Sequence, residues 1–477
     1  MRTIDWVVLV AFIGYVVWDG LRRASGTKSL EGYYAARRSV PWWAAGLSVM
    51  ATQASAITVI GTTGQGFMGG MEFVQVYFGL ALSMVLLSVF IVPFYRAQPI
   101  LTAYESLERR FGVHTRSLAS LIFLVSRSLA FGAVIYAPGV VISSMTGIGL
   151  EVTVIVIGVL TTLYTMFGGV AAVIWTDVKQ MLLILVGLFV CVGIALAKLL
   201  EDVSFDGLLS ALGAADKLNV VEFQPDSTDL VPRAAGATDG AKSFWEDKYN
   251  FWSGMIGGLF LHLAYFGADH SQVQRILTNP TARESRMALL MSAVAKVPMQ
   301  ALVLFLGVLV WAFYVVSPTP MVFKPELQAK IEVARTERAD PQLDRARADA
   351  AAKLVDLQER FDAVAQARRE HFVEFAEAKD PAARDVAATL YRGSVAEARE
   401  VRRAALIELD DGDPNYIFPF FLLEQLPPIL LGLVMAAIFA AAMSSADSAL
   451  NSLSAATVVD FFRRFSSDMD DARALWL

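Results

Sequence analysis

Residues 41–70 read PWWAAGLSVMATQASAITVIGTTGQGFMGG. The stretch is long enough to cross a bilayer, yet Thr52, Gln53, Ser55 and Thr58 stand in its middle, and Gly61, Gly64 and Gly66 follow. Small polar residues weaken a membrane helix and supply side-chain oxygens, while an unwound turn frees backbone carbonyls; a hard monovalent cation wants oxygen ligands like these. A second stretch, AAAMSSADSALNSLSA over 440–455, carries Ser444, Ser445, Asp447, Ser448, Asn451 and Ser452. Each alone is equally well read as small residues packing helices closely. Together they predict the two walls of an ion site.

The rest of the chain fits a membrane setting. Of its 477 residues 56% are apolar and only 18% charged, with mean hydropathy +0.51. A soluble domain carries about 25% charged residues, so this chain has too little polar surface to cover itself in water. Apolar runs fall at 4–21, 41–61, 73–95, 117–145, 150–167, 171–198, 250–268, 286–316 and 428–456, which predicts about nine transmembrane helices in an all-α protein. The first run lacks a cleavage site and reads as a retained span. The single Cys191 excludes a disulfide framework and a cysteine-held metal. A net charge of −6 argues against nucleic acid as a partner. With no H-E-x-x-H and no G-x-S-x-G, no enzyme is expected.

Lysine and arginine collect in 22–38 (Arg22, Arg23, Lys28, Arg37, Arg38), 96–116 (Arg96, Arg109, Arg110, Arg116), 275–286 (Arg275, Arg283, Arg286) and at Arg463 and Arg464. The positive-inside rule then predicts a multi-pass plasma-membrane protein, a bacterial inner-membrane one, with its N-terminus outside. Its domains are expected as 1–316, an outer insertion at 317–416, a span within 417–465 and a cytoplasmic tail at 466–477, a possible truncation point. Between Lys324 and Asp413, 36 of 90 residues are charged, against 50 in the other 387. Asp340-Pro341 and Asp380-Pro381 punctuate this insertion as helix stops and starts, so it reads as two or three amphipathic helices, a hairpin outside the membrane. It is either a solvated insertion or a docking site for a protein partner.

An ionisable side chain in hydrocarbon costs at least about 2.5–3.5 kcal/mol, so each one inside a span is a functional candidate. Those are Arg127, Asp177, Lys179, His262, Lys296 and Asp447. Asp177 and Lys179 sit at the start of their span, where an interfacial position is an equal reading. His262 reads first as a satisfied core histidine.

The motifs TAYESLERRFG (102–112), IYAPGVVISSMTG (135–147), YTMFGGVAAVIWTDVKQ (164–180), YFGADHSQVQR (265–275) and AAAMSSADSALNS (440–452) resemble the sodium:solute symporter family. The second and third look most like its iodide, monocarboxylate and vitamin branch. The resemblance covers about 4–316 and 416–465 and implies an inverted-repeat, five-plus-five helix core with a broken first helix. After the leading span this chain supplies eight core helices, so the last two are expected to be missing. It also implies a coupling sodium ion held by carbonyls at Ala51, Ala54 and Ala441 and by hydroxyls at Ser444 and Ser445. A second cation, or a sodium exit route, is implied at Asp177, Asp447, Ser444 and Ser448. Asp447 stands where the members with a second sodium have serine, so a proton shared between the carboxylates is the alternative to a second cation.

The resemblance further implies a solute pocket. The sugar-branch contacts fall on Thr58, Tyr77, Leu80 and His262, the gating tyrosine on Tyr265 and the lysine on Lys296. With Gln53, these line the expected pocket. A polyol would leave buried partners unmet, each at about 1–3 kcal/mol. A small organic anion such as a monocarboxylate is therefore the expected solute, with amino acid and sugar as alternatives. The expected function is sodium-coupled symport by alternating access, with the solute, the sodium ion and the lipid bilayer as partners. The rival reading is a membrane solute sensor signalling through 317–416.

Overall fold

In the computed structural model, residues 1–23, 29–221, 223, 249–338, 344–466 and 470–476 are described, and every regular element among them is helical. Lys28, the Asp340-Pro341 break and most of the 199–249 loop lie outside the described residues.

Helix α1 spans Thr3–Arg22, α2 Trp42–Gln53, α3 Ala56–Gly69 and α4 Glu72–Arg96. Then come α5 (Val113–Thr146), α6 (Leu150–Asp202), α7 (Phe205–Ala214) and α8 (Ser253–Ala268). Helices α9 (His270–Thr278) and α10 (Ala282–Val316) lead into the insertion. There α11 spans Pro325–Glu337, α12 Arg345–Glu377 and α13 Pro381–Glu408; α14 (Pro414–Gln425) and α15 (Leu430–Ala455) follow.

Six of these are long and apolar enough to cross a membrane, and the pair α2–α3, bent by 62°, makes a seventh span if taken as one. The 53-residue α6 joins two of the expected spans across Gly169, whose φ of +58° and ψ of −165° break the helix. Only glycine fits there, because an added Cβ would lie 2.7 Å from the Tyr33 carbonyl. The run at 250–268 becomes the shorter α8. All nine apolar runs thus fall on helices, the second of them interrupted at Ala54 and Ser55.

Helices α10 and α15 form the centre. Their most apolar windows are 83% and 89% buried, against 17% for α5, whose Leu118, Ile122 and Leu129 stay exposed for lipid. Helix α3 meets α10 backbone to backbone: a Cβ on Gly307 would lie 2.1 Å from the Thr63 carbonyl, and one on Gly66 2.2 Å from Leu304. That approach needs small residues on both helices. Asp5 on α1 accepts from the amides of Ile429 and Gly432 (2.9 and 3.2 Å), which places a carboxylate at the electropositive start of α15.

At the far end of α15 the helix widens into a π turn over Ala456–Phe462. Arg116 Nη2 donates to the Val459 carbonyl (3.0 Å) and pairs with Asp460 (2.7 Å), while Thr102 and Ser120 donate to the same carboxylate. Such π turns are frequent at functional positions.

The insertion is a docked structure. The hairpin α12–α13 turns at Asp380-Pro381, where the Asp380 side chain accepts from Ala383 N (3.0 Å) and the proline fills the first helical position. Phe372, Phe375, Ala387 and Tyr391 belong to the same apolar core as α3, α6 and α10. Arg402 pairs with Asp413 (2.6 Å) and lies over the Phe67 ring at the end of α3.

Candidate functional site

The break between α2 and α3 follows from its residues. Ala54 leaves the helix at φ −83°, ψ 55°, and Ser55 takes extended backbone angles and caps α3 by accepting from Thr58 N (3.3 Å). Thr58 Oγ1 donates back to the Gln53 carbonyl (3.0 Å), which the interrupted helix leaves without an amide. Gln53 Nε2 donates to the Val49 carbonyl (3.1 Å).

Helix α15 lies against this break. Ser445 Oγ donates to the Thr52 carbonyl (3.2 Å), and the Thr52 and Ser448 hydroxyls are 2.9 Å apart. The carbonyl of Ala51 accepts a turn bond from Ala54 N (3.1 Å). Ala441 is fully buried one turn before Ser444 and Ser445. These are carbonyl and hydroxyl oxygens. Among the described residues no group of three His, Cys, Asp or Glu is gathered, so the donor set suits a hard monovalent cation and not a transition metal.

Beside this lies a buried carboxylate network. Asp177 is fully buried and accepts from Ser444 (2.5 Å) and Ser48 (2.6 Å). The interfacial reading of Asp177 is thereby corrected: the kink at Gly169 sets a new helix start, and Asp177 lies two turns inside it. Lys179, half a turn further on, is partly exposed and paired with Asp19. Asp447 accepts from the Tyr164 hydroxyl (2.6 Å) and from Ser448 (3.2 Å).

The cation of this network is Arg275. Its side chain is 1% exposed, pairs with Asp177 (3.6 Å), donates to Ser48 (3.3 Å) and also contacts Ser448 and the Ser271 carbonyl. Sequence reading placed Arg275 and Arg116 among surface charges that set orientation, and both are corrected. Each neutralises a buried carboxylate. The available signal was α9 itself, HSQVQRILT, a polar helix all nine of whose residues are buried. Gln274 of α9 donates to the Tyr34 carbonyl (2.9 Å) and accepts from Asn451 of α15 (3.1 Å), so α9 is tied to α15 beyond the network.

The expected solute residues divide. Tyr77, His262 and Lys296 come together: the Tyr77 and His262 rings are 6.1 Å apart, and Lys296 Nζ lies 5.8 Å over Tyr77. His262 Nδ1 is satisfied by the Gly258 carbonyl (2.6 Å), as the core reading had it. Lys296 is 1% exposed, and among the described residues its ammonium has no hydrogen-bond partner. Gln300, one turn further along the same face of α10, also has neither amide atom bonded. Gln53 and Thr58 bond within the helix break. Tyr265 packs against the same apolar cluster as Tyr77 and accepts from Gln272 Nε2 (2.8 Å) near the Arg127–Asp269 pair (3.4 Å).

A family model, "SSF: Sodium:solute symporter family", matches residues 33–343 and 385–475. The human "Sodium/iodide cotransporter" is 28% identical over 65% of this chain and 44% of its own length. The mouse "Sodium-coupled monocarboxylate transporter 2" is 26% identical over 65% of this chain and 47% of its own. The chain thus spans under half the length of these relatives. The "Sodium/sialic acid symporter NanT" of Aliivibrio fischeri is 25% identical over 98% of this chain and 71% of its own. A solved structure of a Na+-coupled sialic acid symporter, substrate-bound and outward-open, superposes with TM-score 0.69 at 23% identity, covering 100% of this chain and 78% of that one. The likeness establishes a shared fold.

Proposed function

The chain belongs to the sodium:solute symporter family, and from that premise we propose that it is a sodium-coupled secondary transporter importing a small organic anion, with monocarboxylates the first class to test. The observation that carries the cation half is the Ser445 hydroxyl on the Thr52 carbonyl, where α15 meets the break between α2 and α3. Sodium is held there by Ala51, Ala54, Ala441, Ser444 and Ser445. It thereby ties the broken helix to α15, so that binding favours the conformation in which the two are apposed.

The solute half rests on Lys296. A buried ammonium with no acceptor among the described residues is costly unless an anion completes it. Its neighbours Tyr77 and His262 add an aromatic wall. Iodide, monocarboxylates and sialic acid, named for three relatives, are all anions, which supports the reading. On the release side, Asp177 draws sodium from Ser444 toward α9, which must move to open the route. Arg463 and Arg464 put that end in the cytoplasm by the positive-inside rule, with the insertion and the N-terminus outside, as in a bacterial inner membrane.

The test is a thermal-shift screen of the purified protein against short carboxylates, amino acids and sugars, with sodium and with choline, followed by flux in proteoliposomes. The expected result is stabilisation by a carboxylate only when sodium is present. Equal binding and equal uptake in choline reject the proposal.

A further inference from the structure

The insertion carries a second cationic feature, remote in sequence from the residues above. Arg368, on the face of α12 that meets the membrane helices, is 8% exposed. Its Nη2 donates to the Tyr314 carbonyl at the end of α10 (3.0 Å). Its Nε has no partner, and among the described residues no carboxylate lies within salt-bridge distance of it. Phe372 and Phe375 continue the same face of α12, and the Tyr391 ring of α13 packs on both, at 5.5 and 6.0 Å between centroids. Tyr391 is fully buried, and its hydroxyl too is unpartnered.

The carboxylates nearby are engaged elsewhere: Glu424 accepts from the Tyr314 hydroxyl (3.1 Å), and Glu72 acts on Lys217. Arg402 and Lys217 are buried, and each lies within electrostatic reach of Arg368. The carboxylate of Asp413 is engaged by Arg402 and by Phe323 N (2.6 Å each), and Lys217 is engaged by the carbonyls of Phe67 and Met68 (2.7 and 2.8 Å). Burial pushes the Arg368 guanidinium down to about 10, with Arg402 acting in the same direction and Tyr391 against it. A guanidinium and a phenol are two of the side chains that bind compact anions by hydrogen bonds, and a buried polar group left unpaired costs about 1–3 kcal/mol.

We propose that the seam between the docked hairpin and the end of α10 holds a small monovalent anion, a halide or a short carboxylate, bound by Arg368 Nε and the Tyr391 hydroxyl. The anion completes the charge balance of the interface and fastens the insertion to the transporter. The site is separate from the Lys296 pocket and stands or falls independently of the transported solute.

Thermal unfolding of the full chain in detergent, at fixed sodium, compares chloride, bromide and acetate with gluconate as the bulky reference anion. Saturable stabilisation by at least one compact anion is expected, lost in Tyr391→Phe, which keeps the ring and removes only the oxygen. Arg368→Gln should lose it too, and Tyr391→Phe carries the test if that variant does not fold. Lys296→Gln should retain the effect, which separates this seam from the solute pocket. Anomalous density from a bromide-soaked crystal between Arg368 and Tyr391, or acetate density there, supports the site. Equal melting in gluconate and in every compact anion, with only water density at that position, overturns it.

Discussion

Ser445 on α15 donates its hydroxyl to the carbonyl of Thr52, 3.2 Å away, at the point where α2 ends and the chain turns by 62° into α3. One contact joins the two sequence stretches that read as walls of an ion site.

Replacing Ser445 by alanine removes a hydroxyl from that junction without changing the shape of α15. A hydrogen bond or ligand to a charge is worth about 1.5–3 kcal/mol. The sodium concentration for half-maximal stabilisation should therefore rise about ten- to a hundredfold. Sodium titration of the melting temperature checks this; an unchanged midpoint removes Ser445 from the site.

Lys296→Gln should weaken the solute by about ten- to a hundredfold, on the same arithmetic for a charge-assisted bond. The sodium-induced shift should persist, since the Ser445–Thr52 junction does not involve α10. Isothermal titration of the solute in saturating sodium gives the readout. Equal affinities in variant and wild type would mean that another residue reads the anion.

Arg275→Gln leaves Asp177 buried without its cation, and breaking a buried pair from one side costs about 3–5 kcal/mol. The double variant with Asp177→Asn should be less destabilised than the sum of the two single changes. Chemical unfolding of all four proteins completes the cycle, and strict additivity would contradict the pairing.

Gly307→Ala would press a Cβ to 2.1 Å from the Thr63 carbonyl and force α3 from α10. Overpacking of this kind costs about 1–3 kcal/mol. A melting temperature equal to wild type would show that the two helices are not so close.

Glu108 accepts from Arg464 and Arg116 (both 2.7 Å), which hold its carboxyl below the usual glutamate value. A carboxyl depressed in the folded state stabilises fully above its unfolded value, about 4.3, and the contribution fades as pH falls through the folded one. The melting difference between wild type and Glu108→Gln should be greatest above about pH 5 and should close on acidification. A difference that widens in acid would reverse the assignment.

Much of this was readable from residues 41–70 and 440–455 alone: a membrane helix weakened by small polar residues, a small-residue partner helix, and oxygen donors on both. The hairpin turn at Asp380-Pro381 was equally legible, because a cap and a proline act on their own backbone. What could not be read was how the insertion docks. Phe372 and Tyr391 look like the apolar stripe of any amphipathic pair until α10 is set beside them.

Apolar run lengths and small polar residues determined that the chain is helical, membrane-embedded and weakened within 41–70, since hydropathy and local backbone preference are properties of the segment itself; the structure placed the break at Ala54 and Ser55. Tertiary structure alone decided that Arg275 faces Asp177 and Ser48, and that Arg116 faces Asp460, 344 residues away. A charge near a span end is stable either in water or against a buried counter-charge, and only the adjacency of distant helices selects between those two environments.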